Sequence, residues 1–373
     1  MIVHGVRSDD LSHAAFSKLC FRGVEVPIDL GMTQSLAQSS PSQVWHFPAF
    51  RPHPLLPGAH VQTLAGRYWP AKRVALPSLY FELPQRDGDR LCVLESTPTG
   101  WVSGDPLVLL VHGLGGCARA GYVTRLASRL NALGFRCVRM NLRGAGAGFG
   151  SARGIYHSGR TEDVRAVADW ATLRSVESPL ALVGFSLGAN LVLKLAAEAA
   201  DEPLAGLDCV LAANPPLDLA ACCNAIREPR NKLYDRNFVV GLGRDIERLH
   251  RVYPELGPMG LEGVGSLFEF DDRYTARRNG FSGAEDYYRR CSAGPLAAKI
   301  AVAGLVVHSA DDPFIPVETV RRAAFPTSVT VRIESSGGHL GYLSAEKWEG
   351  DHRWLDACLA AWLGSHWSKH GAG

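Results

Sequence analysis

A serine, two aspartates and a histidine stand where a nucleophile, an orienting acid and a base could be assembled. Ser186 lies in Gly184-Phe185-Ser186-Leu187-Gly188, a G-x-S-x-G pentapeptide between an apolar run and an alanine- and leucine-rich segment. The glycines suit a cramped strand-to-helix turn, where side chains at the flanking positions would collide with neighbouring backbone. Such a turn lifts the hydroxyl above a sheet and sets it at a helix N-terminus, whose free N–H groups face developing negative charge. A serine hydroxyl is a poor nucleophile near neutral pH, so it needs a base within hydrogen-bond reach and an acid to orient that base. His339, behind Ser335-Ser336-Gly337-Gly338, is the candidate base. The acid comes from Ala310-Asp311-Asp312-Pro313-Phe314-Ile315-Pro316. Asp312 is chosen because similar loops place the acid four residues before the second proline; Asp311 stays open, and either carboxylate could instead be a helix cap or a solvated loop charge. His352, His366 and His370 lie in or after a C-terminal helix marked by Trp354, Leu355, Cys358 and Leu359, and read as surface residues.

Acyl transfer also needs donors for an oxyanion, and backbone N–H groups serve without proton bookkeeping. Leu187, after the nucleophile, is expected to supply one and Leu114, in His112-Gly113-Leu114-Gly115-Gly116, the other. The alternative is that these glycines only make a tight turn. The run Gly144-Ala145-Gly146-Ala147-Gly148-Phe149-Gly150 invites a dinucleotide-binding reading but fails it: no register gives G-x-G-x-x-G leading into a helix, and the P-loop Lys-Ser/Thr is missing. It reads as a flexible loop near the pocket. His157, in Tyr156-His157-Ser158-Gly159, could line the site or make a structural hydrogen bond. No histidine and carboxylate spacing resembles a metal site.

These residues need a scaffold that brings them together, and after Pro106 the pattern for one begins. Leu107–Val111 is a continuous apolar run, as expected of a strand buried on both faces, and it closes on His112-Gly113. Tyr122, Leu126, Leu130 and Leu133 then recur at helical spacing, and residues 135–140 read as the next strand. Residues 161–173 read as a helix opened by Glu162 and Asp163, acids that suit the positive end of the helix dipole. A short strand over 180–183 runs into the Ser186 pentapeptide, and residues 187–200 are helical by propensity. Residues 209–213, 305–308 and 329–333 complete the strand set. Strands alternating with helices predict a mostly parallel sheet covered on both faces.

Upstream, residues 79–83 and 91–95 flank the turn signal Arg86-Asp87-Gly88-Asp89 and predict a β-hairpin. Residues 45–70, rich in proline and aromatics, are expected to pack over the core without a regular element. Residues 1–44 read as a flexible lead-in. Between Pro215-Pro216 and the strand at Leu305 lie about ninety residues with no good strand, too long to be structureless in a compact domain, which predicts a helical cap over the sheet edge. The predicted division is a lead-in over 1–44, a core from 45–215 and 291–373, and a cap over 216–290.

Composition narrows the function classes. The chain has 373 residues, 46% of them hydrophobic, ample for a substantial core. A net charge of +2, with acids and bases interspersed, argues against nucleic acid as partner and leaves a small molecule. Nine cysteines without a CxxC pair, several inside predicted strands, read as reduced buried thiols and favour a reducing cytoplasm over a disulfide framework. No stretch reaches the roughly 18 to 20 apolar residues of a transmembrane helix, and charges such as Arg7, Asp9, Asp10 and Lys18 interrupt any signal-like run near the N-terminus. Oligomeric state is not legible.

His60-Val61-Gln62-Thr63, the His112 glycine turn, Met140-Asn141-Leu142-Arg143-Gly144, Tyr156-His157-Ser158-Gly159, the Ser186 pentapeptide, Asp311-Asp312-Pro313-Phe314 and Gly337-Gly338-His339 together resemble the YheT/EMB8-type α/β hydrolases, from about residue 47 to 365. The resemblance implies the α/β-hydrolase fold with a helical cap inserted after the sixth strand. It also implies esterase or lipase-like activity on acyl esters, without a cofactor. Related animal members act on acylglycerols or phospholipids and carry an N-terminal membrane anchor, which is not read here. Ala145 stands where relatives often carry a cysteine. Three functions compete: ester hydrolysis through an acyl-Ser186 intermediate, acyl transfer to another acceptor or perhydrolysis by the same residues, and ligand binding without catalysis.

Overall fold

The structure, a computed structural model, describes residues 45–70 and 75–368; the predicted lead-in 1–44 and His370 lie outside the described residues. Eight strands form one sheet in the order β1-β2-β4-β3-β5-β6-β7-β8. β1 (Leu79–Pro84) and β2 (Arg90–Ser96) make the predicted antiparallel hairpin, and β2 runs antiparallel to β4 (Arg136–Asn141). The remaining neighbours are all parallel: β3 (Leu107–Val111), β5 (Leu180–Phe185), β6 (Leu207–Ala213), β7 (Ala303–Ser309) and β8 (Val329–Glu334).

The apolar run of β3 shows why both faces are covered. Leu107, Leu109 and Val111 point into a core shared with α3 (Thr161–Leu173) and α4 (Leu187–Glu198). Val108 and Leu110 point into the opposite core, shared with α2 (Gly121–Ala132) and the C-terminal helix Trp354–Ser368. This is the two-residue period of a strand feeding two helical layers. Register then decides where the loops fall. Val111 pairs with Gly184, Phe185 with Ala213, Ala213 with Val307 and Ser309 with Glu334, so the turns after these strands leave from one edge.

Several expectations need correction. Residues 45–70 do contain a regular element, α1 (Ala59–Tyr68). The prolines of this segment, Pro48, Pro52, Pro54, Pro57 and Pro70, all lie outside Ala59–Tyr68, so composition averaged over the segment hid a proline-free run with a helix in it. The buried stripe of α2 is Val123, Leu126, Ala127 and Leu130, while Leu133 falls past its end and is 49% exposed. An additional antiparallel hairpin, β9 (Leu343–Trp348) with β10 (Asp351–Arg353), turns on Glu349 and Gly350, both at positive φ as a tight two-residue connection requires. His352 belongs to this hairpin and not to the C-terminal helix. The glycine run after β4 is no loose loop: it holds a short 3₁₀ turn, Gly146–Gly148, packed against Asn141, Cys117 and Cys92.

Between β6 and β7 the chain is helical. α5 (Leu219–Arg227), α6 (Lys232–Val252), Leu267–Phe270 and Ala284–Cys291 carry most of it. α6 presents Tyr234, Phe238 and Leu242, one turn apart, to a cluster containing Cys222, Ile226, Leu267, Phe314 and Ile315. Among the described residues no helix is long and apolar enough to cross a membrane.

Candidate active site

Ser186 sits between β5 and α4 at φ 51°, a left-handed conformation that a serine adopts only when its surroundings impose it. Those surroundings are tight. A Cβ at Gly188 would lie 2.4 Å from the Val111 carbonyl oxygen and one at Gly184 2.3 Å from the Gly188 carbonyl oxygen, so only glycine lets the elbow close against β3. The Ser186 N–H donates to Ala213 O at 2.9 Å, pinning the turn to the neighbouring strand.

The imidazole of His339 reaches this hydroxyl across 153 positions of sequence. Its Nε2 lies 2.9 Å from Ser186 Oγ and its Nδ1 2.8 Å from Asp312 Oδ2. Burial would push the Asp312 carboxyl up, but His339 beside it and its hydrogen bond, with His308 and the Phe314 N–H, hold it below the usual carboxylate range. An ionised Asp312 only accepts, so His339 Nδ1 carries the hydrogen and Nε2 is free to accept from Ser186. Asp312 Oδ1 accepts from the N–H groups of Phe314 (2.8 Å) and Ile315 (3.1 Å), and Oδ2 also accepts from Asn214 Nδ2 at 2.6 Å. Asp311 does something different: its Oδ1 accepts from the Gly338 N–H at 2.8 Å. Of the two carboxylates, the one in contact with His339 is therefore Asp312.

Backbone contacts hold the His339 loop from both sides. The His339 N–H donates to Thr63 Oγ1 at 2.9 Å, and that hydroxyl donates to Ala59 O at 2.7 Å within α1. Gly338 is forced by this approach, since a Cβ there would lie 2.3 Å from Ala59 O. Gln62, fully buried, donates to Leu343 O at 3.2 Å and accepts from Leu343 N at 2.9 Å, tying α1 to β9. His60 stacks on Tyr234 of α6, and Tyr234 packs edge-on against Phe314, whose ring lies 4.9 Å from that of His339. The motif His60-Val61-Gln62-Thr63 thus braces the loop that carries the imidazole.

Two contributors were missed from sequence. Asn214, buried at the end of β6 at φ 47°, bridges Asp312 and the hydroxyl of Tyr342, which donates to Asn214 Oδ1 at 3.1 Å. Its signal was an asparagine, a residue that tolerates positive φ, directly before Pro215-Pro216 at a strand end. Thr63 gave none beyond its motif.

The His112 turn lies against the elbow, for a Cβ on Gly113 would stand 3.0 Å from Ser186 Cβ. His112 is fully buried and burial drives its pKa down to about 4, so it is neutral. Its Nε2 accepts from Leu142 N at 3.0 Å, which leaves Nδ1 to donate to Gly113 O at 2.8 Å. Leu114 follows Gly113, and its N–H has no acceptor among the described residues. The Leu187 N–H belongs to the first residue of α4, where no carbonyl one turn back serves it. Arg143, buried beside this edge, pairs with Asp163 at 2.9 and 2.6 Å and with Asp89 and Asp87 at 2.7 Å each, locking the loop after β4 to α3 and to the β1–β2 turn.

His157 is buried against Phe281 and Tyr287 and accepts from the Gly159 N–H at 3.2 Å; burial, then Arg160, Lys194 and Arg143, lower its pKa to about 3. His352 Nδ1 lies 2.8 Å from Ser344 O, and His366 Nε2 lies 2.7 Å from Asp208 Oδ2. Asp208, Cys209 and His366 bring potential ligand atoms within 4.8 Å of one another, but the first two sit near the start of β6, the opposite edge from Ser186, with His366 reaching them from the C-terminal helix, and the Asp208 carboxylate also accepts from Trp367.

A mainly parallel eight-stranded sheet with an antiparallel second strand, a serine elbow after β5 and a histidine loop after β8 define an α/β-hydrolase fold. The chain belongs to the alpha/beta hydrolase family, whose model matches residues 108–349. YheT of Escherichia coli is 30% identical over 82% of this chain and 89% of that protein, which bears out the resemblance read from the motifs. Phospholipase ABHD3 of Homo sapiens is 26% identical over 64% of this chain and 59% of its own length, so the chain spans about three fifths of that relative. Among solved structures, the Pyrococcus furiosus esterase Pf2001 matches with a TM-score of 0.55 at 13% identity, over 87% of this chain and 98% of that one, a likeness of fold.

Proposed function

We propose that the chain is a serine hydrolase that cleaves the carboxylic ester of a small acyl substrate through an acyl-Ser186 intermediate. The observation that carries the reading is the unbroken line of contacts from Ser186 Oγ through His339 to Asp312, at 2.9 and 2.8 Å. In acylation His339 Nε2 accepts the Ser186 proton as Oγ adds to the ester carbonyl carbon, and Asp312 stabilises the imidazolium. The charge that collects on the carbonyl oxygen is received by the N–H groups of Leu114 and Leu187. His339 then gives its proton to the departing alcohol as the C–O bond breaks. Water, deprotonated by the same imidazole, adds to the acyl-serine and releases the carboxylic acid, restoring Ser186.

The helical insertion, read as a cap over residues 216–290, would shape the acyl side of the site through the Tyr234, Phe238 and Leu242 row of α6. A reducing cytoplasm belongs to the same proposal, supported by the eight cysteines among the described residues, all free. A fluorophosphonate probe should label the wild type and leave Ser186→Ala unlabelled, and p-nitrophenyl esters of graded chain length should turn over with the same dependence. Labelling that persists in Ser186→Ala rejects the assignment. Turnover of an alcohol acceptor in preference to water would replace hydrolysis with acyl transfer.

A further inference from the structure

Two N–H groups of the turn that carries Leu114 are taken by phenols. The Gly113 N–H donates to the hydroxyl of Tyr122 at 3.0 Å, and the Gly115 N–H donates to the hydroxyl of Tyr156 at 2.9 Å. Gly113 O accepts both from His112 Nδ1 at 2.8 Å and from the Gly116 N–H at 3.0 Å. The amide between the two engaged ones, that of Leu114, is left over. Gly115 sits at φ +65°, so the chain reverses just after Leu114, and the Tyr156 hydroxyl holds the reversed peptide.

The two tyrosines come from separate places. Tyr122 opens α2 and packs edge-on against Phe185, the residue before the nucleophile, with ring centroids 4.8 Å apart. It therefore touches the elbow and the turn at once. A Cβ at Gly116 would lie 2.8 Å from its hydroxyl, so the turn closes on the phenol without space to shift. Tyr156 lies in the loop after the glycine run, and its ring stands edge-on to His112 at 6.1 Å. Burial raises both phenols to about 12, so both stay neutral.

We propose that Tyr122 and Tyr156 are positioning residues for the oxyanion: each hydroxyl occupies the amide on one side of Leu114, so that the peptide between them presents a single N–H in a fixed direction beside Ser186. The inference rests on the acyl-serine reading above and extends it from the donor to the groups that aim the donor. A loosened turn weakens the hydrogen bond to a carbonyl oxygen in the transition state more than it weakens ground-state binding. The Ser186–His339–Asp312 contacts are untouched by either phenol.

The test compares p-nitrophenyl butyrate with its thionoester, in which C=S replaces C=O. Sulfur accepts hydrogen bonds poorly, so a thionoester draws little from the oxyanion donors but uses the same nucleophile and base. In Tyr156→Phe the oxoester kcat should fall roughly tenfold with KM changed less than about twofold, short of the 10²–10³-fold loss of a donor itself. The thionoester kcat should fall less than about threefold, so the oxo-to-thiono ratio shrinks. Tyr122→Phe should act in the same direction, and it keeps the inference testable if the other variant fails to fold. The pH midpoint of kcat/KM should stay where it is in the wild type. Equal losses on both esters, or no loss on either, overturn the proposal. A folded wild type that turns over neither ester removes the acyl-serine reading itself, a result distinct from either of those.

Discussion

Asn214 and Asp312 are bonded at 2.6 Å, and the amide reaches the same carboxylate oxygen that accepts from His339. Oδ2 of Asp312 thus has two donors, and its pairing with the imidazole is fixed in direction by a third residue. Substituting Asn214→Asp keeps a residue that tolerates φ 47° but replaces the donor with a second carboxylate. One of the two then titrates upward, and the shared proton weakens Asp312 as the acceptor for His339. kcat at neutral pH is expected to fall by about 10²-fold or more, with Asn214→Gly losing less because no like charge is introduced. Steady-state kinetics of the two variants decide it: equal activity of Asn214→Asp and wild type would contradict the role.

The two neighbouring aspartates should separate cleanly under mutation. Asp312→Asn leaves the geometry but imposes the wrong imidazole tautomer, and kcat should drop on the order of 10³ to 10⁴-fold. Asp311→Asn retains an oxygen able to accept from the Gly338 N–H, so the loss there should stay within about tenfold. A reversal of this order would move the acid to residue 311.

Stability should depend on pH through buried histidines, among them His112 and His157. His112 and His157 have folded pKa values lowered to about 4 and about 3, against 6.5 for an ordinary imidazole. A depressed histidine contributes stability that is fully present above the unfolded pKa and is lost as pH falls toward the folded one, because the unfolded chain takes up the proton first. Each group contributes a slope of up to about 1.4 kcal/mol per pH unit between pH 6.5 and its folded pKa. Urea unfolding at pH 7, 6, 5 and 4 should show the free energy falling as the pH falls, with His308, also buried and lowered, adding to the slope and Asp271, raised to about 6 by burial, opposing it. His157→Asn, which can still accept from Gly159, should make the fall shallower. A pH-independent free energy over that range rules out neutral burial of both rings.

Arg143 should matter for stability more than any surface charge. Its side chain is 3% exposed and its partners Asp89 and Asp163 are 7% and 2% exposed. Arg143→Ala strips these buried carboxylates of their main counter-charge, leaving Asp163 with Arg160 at 3.4 Å and Asp89 with the Arg153 and Gly154 N–H groups, a loss of about 3 to 5 kcal/mol. By contrast, Arg321→Ala, at an exposed pair with Glu318, should change stability by less than about 1 kcal/mol. Chemical denaturation of the two variants side by side checks the contrast.

What the sequence made legible follows from periodicity. α3 spans Thr161–Leu173, as its acidic first turn and apolar spacing predict, and strands such as Leu107–Val111 stand out because burial on both faces makes them continuously apolar. Ser186, Asp312 and His339 were legible because each follows a strand and each needs an unusual turn, marked by glycine or proline. α1 was not, because its neighbours' prolines dominated the local composition. β9 was not, because Leu343-Ser344-Ala345-Glu346-Lys347-Trp348 has no clean alternation and its partner is only three residues long. Asn214 and Tyr122 were illegible in a further sense. Their parts depend on contacts 98 positions away for Asn214 and on a ring that faces the elbow when helical spacing alone assigns it to the buried stripe of α2.

The imidazole stands 153 positions after the hydroxyl it touches, and its loop is steadied by Thr63, 276 positions earlier. Under the proposed mechanism, a chain emerging from the ribosome therefore adds 153 residues beyond its serine before the imidazole exists. On that reading, reactivity would arise only once the last strand of the sheet has been made and the histidine loop beyond it has met the first helix. On the same reading, a break that frees α1 or the His339 loop would silence the serine while leaving the central strands intact.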